Sequence, residues 1–206
     1  MKVLKFILLG IAVQLSFTLS AQTNKGSFLV GGDASFTSSK NTVLGNETKK
    51  TQIRINPTVG YFVIDNFVLG ASLPLSFSKS RSSGFQYDSK SSSITFGPLA
   101  RYYVPMDKFA IFTEVKYTFG LIKVEGPTFD PISGSIISST NRGKDEILSF
   151  GLGTTYFINE SIGIEAGVYY IKQNVEYENS EMFIFPDFES KDFTLRIGFQ
   201  FYLAKQ

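Results

Sequence analysis

The chain has 206 residues, 20 basic and 18 acidic side chains, a formal net charge of +2, and no His, Cys or Trp. Near-neutrality gives no strong nucleic-acid footprint. Lack of Cys and His removes disulfide stapling, thiol chemistry, Ser–His catalysis and His-ligated metal sites together. Against this stand 21 Phe and 10 Tyr.

Taken from the N-terminus, Lys2 and Lys5 precede the apolar run FILLGIAV at 6–13, and LSAQ at 19–22 ends in small residues. That layout is a secretory signal peptide, 1–21, cut after Ala21. Gln14, Ser16 and Thr18 interrupt the run, which makes a retained membrane helix the weaker reading. The remainder, 22–206, reads as a single domain without a linker. It holds no apolar window long enough for a transmembrane helix.

From Phe28 onward the dominant period is two, the signature of strands with unlike faces. The first strand sets Phe28, Val30, Ala34 and Phe36 against Leu29, Gly31, Asp33 and Ser35. The second sets Ile53, Ile55, Val59 and Tyr61 against Gln52, Arg54, Asn56 and Gly60. The third runs from Phe67 to Phe77, and the fourth sets Ile94, Phe96, Ala100 and Tyr102 against Thr95, Gly97 and Arg101. The fifth sets Phe109, Ile111, Val115, Tyr117, Phe119 and Leu121 against Phe112, Glu114, Lys116 and Gly120. The sixth and seventh carry Leu148 to Tyr156 and Ile162 to Tyr170, with Gly151, Gly153, Gly163, Glu165 and Gly167 on the opposite faces. The last, FTLRIGFQFYL at 193–203, sets Phe193, Leu195, Ile197, Phe199 and Phe201 against Arg196, Gly198 and Gln200. No helical period interrupts the eight.

The connections alternate. Short turns are expected at 64–66, 105–108 and 159–161, and long polar loops near 39–50, 80–90, 125–145 and 178–191. An even number of strands with turns at one end and loops at the other is an up-and-down barrel. Which face lies inside follows from the polar one, which is rich in Gly and poor in charge. Glycine suits the crowded interior of a narrow barrel, whereas a soluble exterior carries more Lys and Glu. The expectation is therefore an all-β, eight-stranded antiparallel up-and-down transmembrane β-barrel with its apolar face in lipid.

The signal peptide, the eight alternating strands, the aromatic turn borders and the apolar last strand resemble the small outer-membrane β-barrel family that includes OmpX and the OmpA transmembrane domain. The likeness is one of pattern and covers the whole mature chain. It departs at the end: members commonly finish on an aromatic residue, whereas this chain runs on through Ala204, Lys205 and Gln206. Phe201 and Tyr202 lie close enough to the end for recognition by the barrel-assembly machinery. The resemblance implies residence in the outer membrane of a Gram-negative-type cell, contact with outer-membrane lipid and lipopolysaccharide, and a monomer. Enzymes built on such barrels depend on His, so the chain is read as no enzyme and as needing no cofactor.

On the interior face Asp33, Arg54, Arg101, Glu114, Lys116, Glu165 and Arg196 are expected to pair in a polar network. An eight-stranded barrel is narrow enough for side chains to fill it, and an unpaired buried charge is expensive. Three aromatic pairs precede the short turns, in YFVIDNF (61–67), YYVPMDKF (102–109) and YFINESI (156–162). Tyr61, Tyr102 and Tyr156, with Phe201, are expected to form the periplasmic aromatic girdle, the role Trp often takes. In the last loop, Phe183, Phe185 and Phe188 either prop the loop on the rim or contact an extracellular partner. Its acidic residues match no recognised calcium loop.

The reading that follows is a structural outer-membrane barrel with a plugged interior, whose long loops are the place for surface ligands. The rivals are a narrow ion or small-solute channel or transporter, and a soluble periplasmic lipocalin-like ligand-binding barrel.

Overall fold

In the computed structural model the alternating stretches form nine strands: β1 (Phe28–Val43), β2 (Asn46–Ile64), β3 (Phe67–Ser72), β4 (Leu75–Ser82), β5 (Ser89–Met106), β6 (Phe109–Asp130), β7 (Ser135–Asn159), β8 (Ile162–Tyr177) and β9 (Phe188–Leu203). The structure describes residues 23–43, 46–83, 88–130, 134–177 and 188–204. The leader 1–21, and Phe183 and Phe185, lie outside them.

β3 and β4 are two parts of one stave. Both pair with β2 on one side and β5 on the other. The break falls at Leu73–Pro74, where proline has no N–H for the ladder. Bonds from Leu73 N–H to the Pro57 carbonyl (2.9 Å) and from Thr95 N–H to the Pro74 carbonyl (3.0 Å) carry the ladder across it. The staves therefore number eight, all antiparallel, as the sequence pattern indicates.

β1 closes the ring. It pairs with β2 from Phe28↔Tyr61 to Val43↔Asn46 and with β9 from Phe28↔Leu203 to Ala34↔Ile197. Above Ala34 this seam has no ladder among the described residues. Below it every stave has a neighbour on both sides, the condition for backbone in lipid.

Alternation sends successive side chains to opposite faces. Phe28 and Val30 point out and Leu29 is fully buried; Ile53 and Ile55 point out and Arg54 is buried. The exterior is thus apolar and much of the interior polar, which sets aside the soluble lipocalin-like reading. Outward positions from Phe109 to Leu121 rise about 30 Å at a tilt of about 40°. That is the thickness of a hydrocarbon core.

Three tight turns close one end, and left-handed backbone marks two of them, at Asn66 (φ 66) and Asp107 (φ 50). Asn and Asp tolerate that conformation better than other side chains. Register shifts beside the first and third turns, between Phe62 and Ile64 and between Phe157 and Asn159, are the bulges common at barrel rims. The segment at 23–27 folds against the first turn: Thr23 Oγ1 donates to Asn66 Oδ1 (2.5 Å), and Gly26 N–H to the Phe62 carbonyl (2.9 Å).

The opposite end differs from the sequence expectation. Much of what reads as long loop is strand. β1 and β2 pair out to Val43↔Asn46, and β6 and β7 pair out to Asp130↔Ser135. Beyond the apolar belt both faces of a ribbon meet water, so the contrast that marks a strand in the sequence disappears while Ser, Thr and Ile keep the backbone extended.

Candidate functional site

The candidate site is the barrel interior, built in layers from the tight-turn end upward. The lowest layer comes from the aromatic pairs. In each pair the first ring points out and the second points in. Tyr61, Tyr102, Tyr156 and Phe201 are exposed, whereas Phe62, Tyr103, Phe157 and Tyr202 are buried.

The four inner rings meet across the lumen, with centroids 5.9 Å apart for Phe62–Tyr103, 6.2 Å for Tyr103–Tyr202, 6.3 Å for Phe62–Tyr202 and 5.3 Å for Phe157–Tyr202. These are offset and edge contacts of the favourable kind. Leu29, Val68 and Ala110 fill around them, all fully buried. The tight-turn end thus has an aromatic floor. The outer rings stack too, Phe28 on Tyr61 at 5.1 Å and Phe109 on Tyr156 at 5.0 Å, because strand register sets them opposite each other.

On the floor stands Glu165. Arg101 Nη1 donates to both its oxygens at 2.8 Å. Thr155 Oγ1 donates at 3.0 Å, Gln200 Nε2 at 3.1 Å, Tyr103 OH at 3.2 Å and Tyr202 OH at 3.3 Å. A carboxylate has about four lone-pair positions, so this one is saturated. The inner tyrosines join floor to ionic layer, with their rings in the aromatic stack and their hydroxyls on Glu165.

Arg101 reaches Glu114 with Nε (2.8 Å), and its guanidinium lies 4.5 Å from the Phe112 ring centre. Glu114 also takes Lys116 (2.9 Å), Lys116 reaches Asp33 (3.4 Å), and Asp33 takes Arg196 (3.5 Å) and Asn56. A continuous chain results: Glu165, Arg101, Glu114, Lys116, Asp33, Arg196. All are buried. The Arg196 guanidinium lies over Tyr169, 4.3 Å from its centre. Tyr169 has room because Gly151 faces it: a Cβ there would come 2.3 Å from the ring. Gly153 makes the same room for Phe112 (2.4 Å).

Arg54 stands apart. It is buried, yet it makes no ion pair among the described residues, and its Nε has no hydrogen-bond partner. Of the seven charged interior residues named from sequence, six are joined and Arg54 is not.

Reasoning from sequence missed the inner ring set Phe62, Tyr103, Phe157 and Tyr202. The signal was present, because adjacent residues in a strand face opposite ways, so a repeated aromatic pair supplies an outer and an inner ring together. Phe188 begins β9, exposed, with its ring 6.5 Å from Tyr177.

Cationic donors contact both Glu114 and Glu165. No group of side chains suited to a metal ion occurs among the described residues.

An inverted eight-stave barrel, apolar outside and largely polar within, defines a transmembrane β-barrel protein. A family model described as the outer membrane protein beta-barrel domain matches residues 7–201, and the chain belongs to that family. Among solved structures it is similar to Neisserial surface protein A (NspA), at 16% identity and a TM-score of 0.50, over 86% of this chain and 99% of that one. It is also similar to the outer membrane protein OprG from Pseudomonas aeruginosa, at 14% identity and a TM-score of 0.48, over 90% and 99% of the two chains. At these identities the first likeness speaks to the fold alone. No curated protein matches the chain.

Proposed function

We propose that this protein is a plugged outer-membrane anchor, which holds its long hairpins at the cell surface and does not pass solutes. The observation that carries this reading is the saturated Glu165 standing on the aromatic floor. Together they occupy the lumen across its width, and opening a path would strip a buried carboxylate of several donors at once. Such a loss is costly in a low-dielectric interior. No catalytic role is assigned, because both buried glutamates are committed to cations.

In this reading the leader 1–21 directs export, the tight turns face the periplasm and the hairpins face outward. Phe201 and Tyr202 serve recognition by the barrel-assembly machinery, and the barrel works as a monomer. Its surroundings are outer-membrane lipid and lipopolysaccharide. What favours the latter is an outward row of cations above the apolar belt. Lys79, Lys90 and Lys123 line a groove of about 650 Å³ with Ile53, Phe77 and Glu125, and although Glu125 pairs with Lys123 at 2.6 Å the lining keeps a net positive charge, suited to phosphate above acyl chain. Above it, Asp88 is held well below the usual carboxylate range, chiefly by its hydrogen bond from Arg81 and then by that from Lys79. The hairpin tips and Phe188 are the place for an extracellular partner.

Osmotic swelling of proteoliposomes tests the proposal. Vesicles carrying the folded protein should swell in small sugars and amino acids no faster than empty vesicles. Uptake that scales with protein content would overturn the plug. Mass spectrometry of the protein from outer membranes should find Gln22 at the N-terminus; a chain starting at Met1 would refute cleavage after Ala21.

A further inference from the structure

Above the Glu165 layer, Arg54 on β2, Lys116 on β6 and Arg196 on β9 line one cavity together with Thr118 and Ser149. It measures about 10 Å³, which is room for one particle the size of a water molecule. Three of its donors lack a hydrogen-bond partner: Arg54 Nε, Arg196 Nε and Ser149 Oγ. All three residues are more than nine-tenths buried.

We propose that this cavity is a binding site for a single monatomic anion, chloride in the cell. Of the carboxylates nearby, Asp33 and Glu114 are spent on other cations, and Asp145 accepts from Gln173 and keeps one oxygen without a partner, out of ion-pair contact with Arg54. Asp33 is shared among Asn56, Lys116 and Arg196, and Glu114 between Arg101 and Lys116. Arg54 adds a positive charge with no carboxylate in ion-pair contact. A buried donor left without a hydrogen-bond partner is costly. A halide accepts hydrogen bonds from several directions and so answers all three orphan donors together. Charge-assisted bonds of this kind are the strong ones. Size excludes sulfate, phosphate and carboxylates. A water molecule accepts from two donors at most and brings two hydrogens of its own, so it would leave one of the three unanswered. The site is independent of whether the lumen conducts, because it needs only the local cluster.

Two measurements on the full-length mature barrel in detergent test the site. In crystals grown in sodium bromide, anomalous scattering should place one bromide between Arg54, Arg196 and Ser149. Water there without anomalous signal, bromide at other positions only, or Arg54 turned away to pair with Asp145 would each overturn the proposal. In solution, bromide replacing gluconate at constant ionic strength should raise the melting temperature along a saturating curve. Arg54→Gln should weaken the fitted affinity about ten- to a hundredfold, with folding checked by heat-modifiable gel mobility. Should that variant fail to fold, Ser149→Ala provides the same comparison. An affinity unchanged in the folded variant, or a bromide effect without saturation, would count against the site.

Discussion

At the scale of single residues, charge and volume are closely matched around Glu165 and the aromatic floor. Glu165→Ala would leave the Arg101 guanidinium facing Glu114 alone, and Tyr103, Thr155 and Gln200 without their acceptor. Removing one partner of a buried ion pair typically costs about 3–5 kcal/mol. Urea unfolding in lipid vesicles should show a loss of that order, and a loss under about 1 kcal/mol would mean that water already solvates the layer. Volume is as strict at Gly151. A methyl group there must displace the Tyr169 ring, which in turn supports Arg196. Gly151→Ala should cost about 1–3 kcal/mol, the usual penalty of overpacking, measured in the same assay. Neutral behaviour would show that Tyr169 has room to move.

Within a strand, one residue serves lipid and the next serves the lumen. Leu152 points outward from the apolar stretch of β7 between Leu148 and Tyr156 and is 63% exposed. Leu152→Arg should therefore cost about 2–4 kcal/mol in a bilayer. No change on folding into vesicles would argue that this face does not meet lipid. The hairpin of β6 and β7 beyond Lys123 and Lys144 is expected to be separable. Replacing residues 127–138 with a short turn should leave a barrel with normal heat-modifiable mobility, because the six joined charges and the aromatic floor all come from outside that segment.

Which parts of this were legible in the sequence depends on contrast between faces. Where lipid meets one face and the lumen the other, alternation is sharp, so strand number, inversion and the outward Tyr61, Tyr102, Tyr156 and Phe201 could be read. Above the belt the contrast fades, and the extended ends of β1, β2, β6 and β7 read as loop. Inside, the charged residues could be named but not their partners, because pairing depends on register across staves distant in sequence; Arg101 and Glu165 are an example. The floor was hidden for another reason: Phe62, Tyr103, Phe157 and Tyr202 are apolar residues on the polar face.

For the whole molecule, closure is uneven. The β6–β7 ladder runs from Phe109↔Tyr156 to Asp130↔Ser135, whereas the β1–β9 ladder stops at Ala34↔Ile197. Local opening follows the density of ladder and packing. Amide exchange should therefore be fastest along the β1–β9 seam above Ala34 and slowest in the lower half of β6 and β7. Uniform protection around the ring would show that the seam closes in the membrane. The Glu165 layer and the aromatic floor lie beneath this seam, in the fully paired part of the barrel, so exchange along the seam should leave the floor intact.

The plugged lumen is tested most directly by planar-bilayer recording from pure folded protein. Wild type should give no reproducible unitary conductance, while Glu165→Ala combined with Tyr103→Ala and Tyr202→Ala, which removes the hub and half the floor, should give discrete openings. Steady unitary currents from the wild type would contradict the plug and leave a narrow channel in its place.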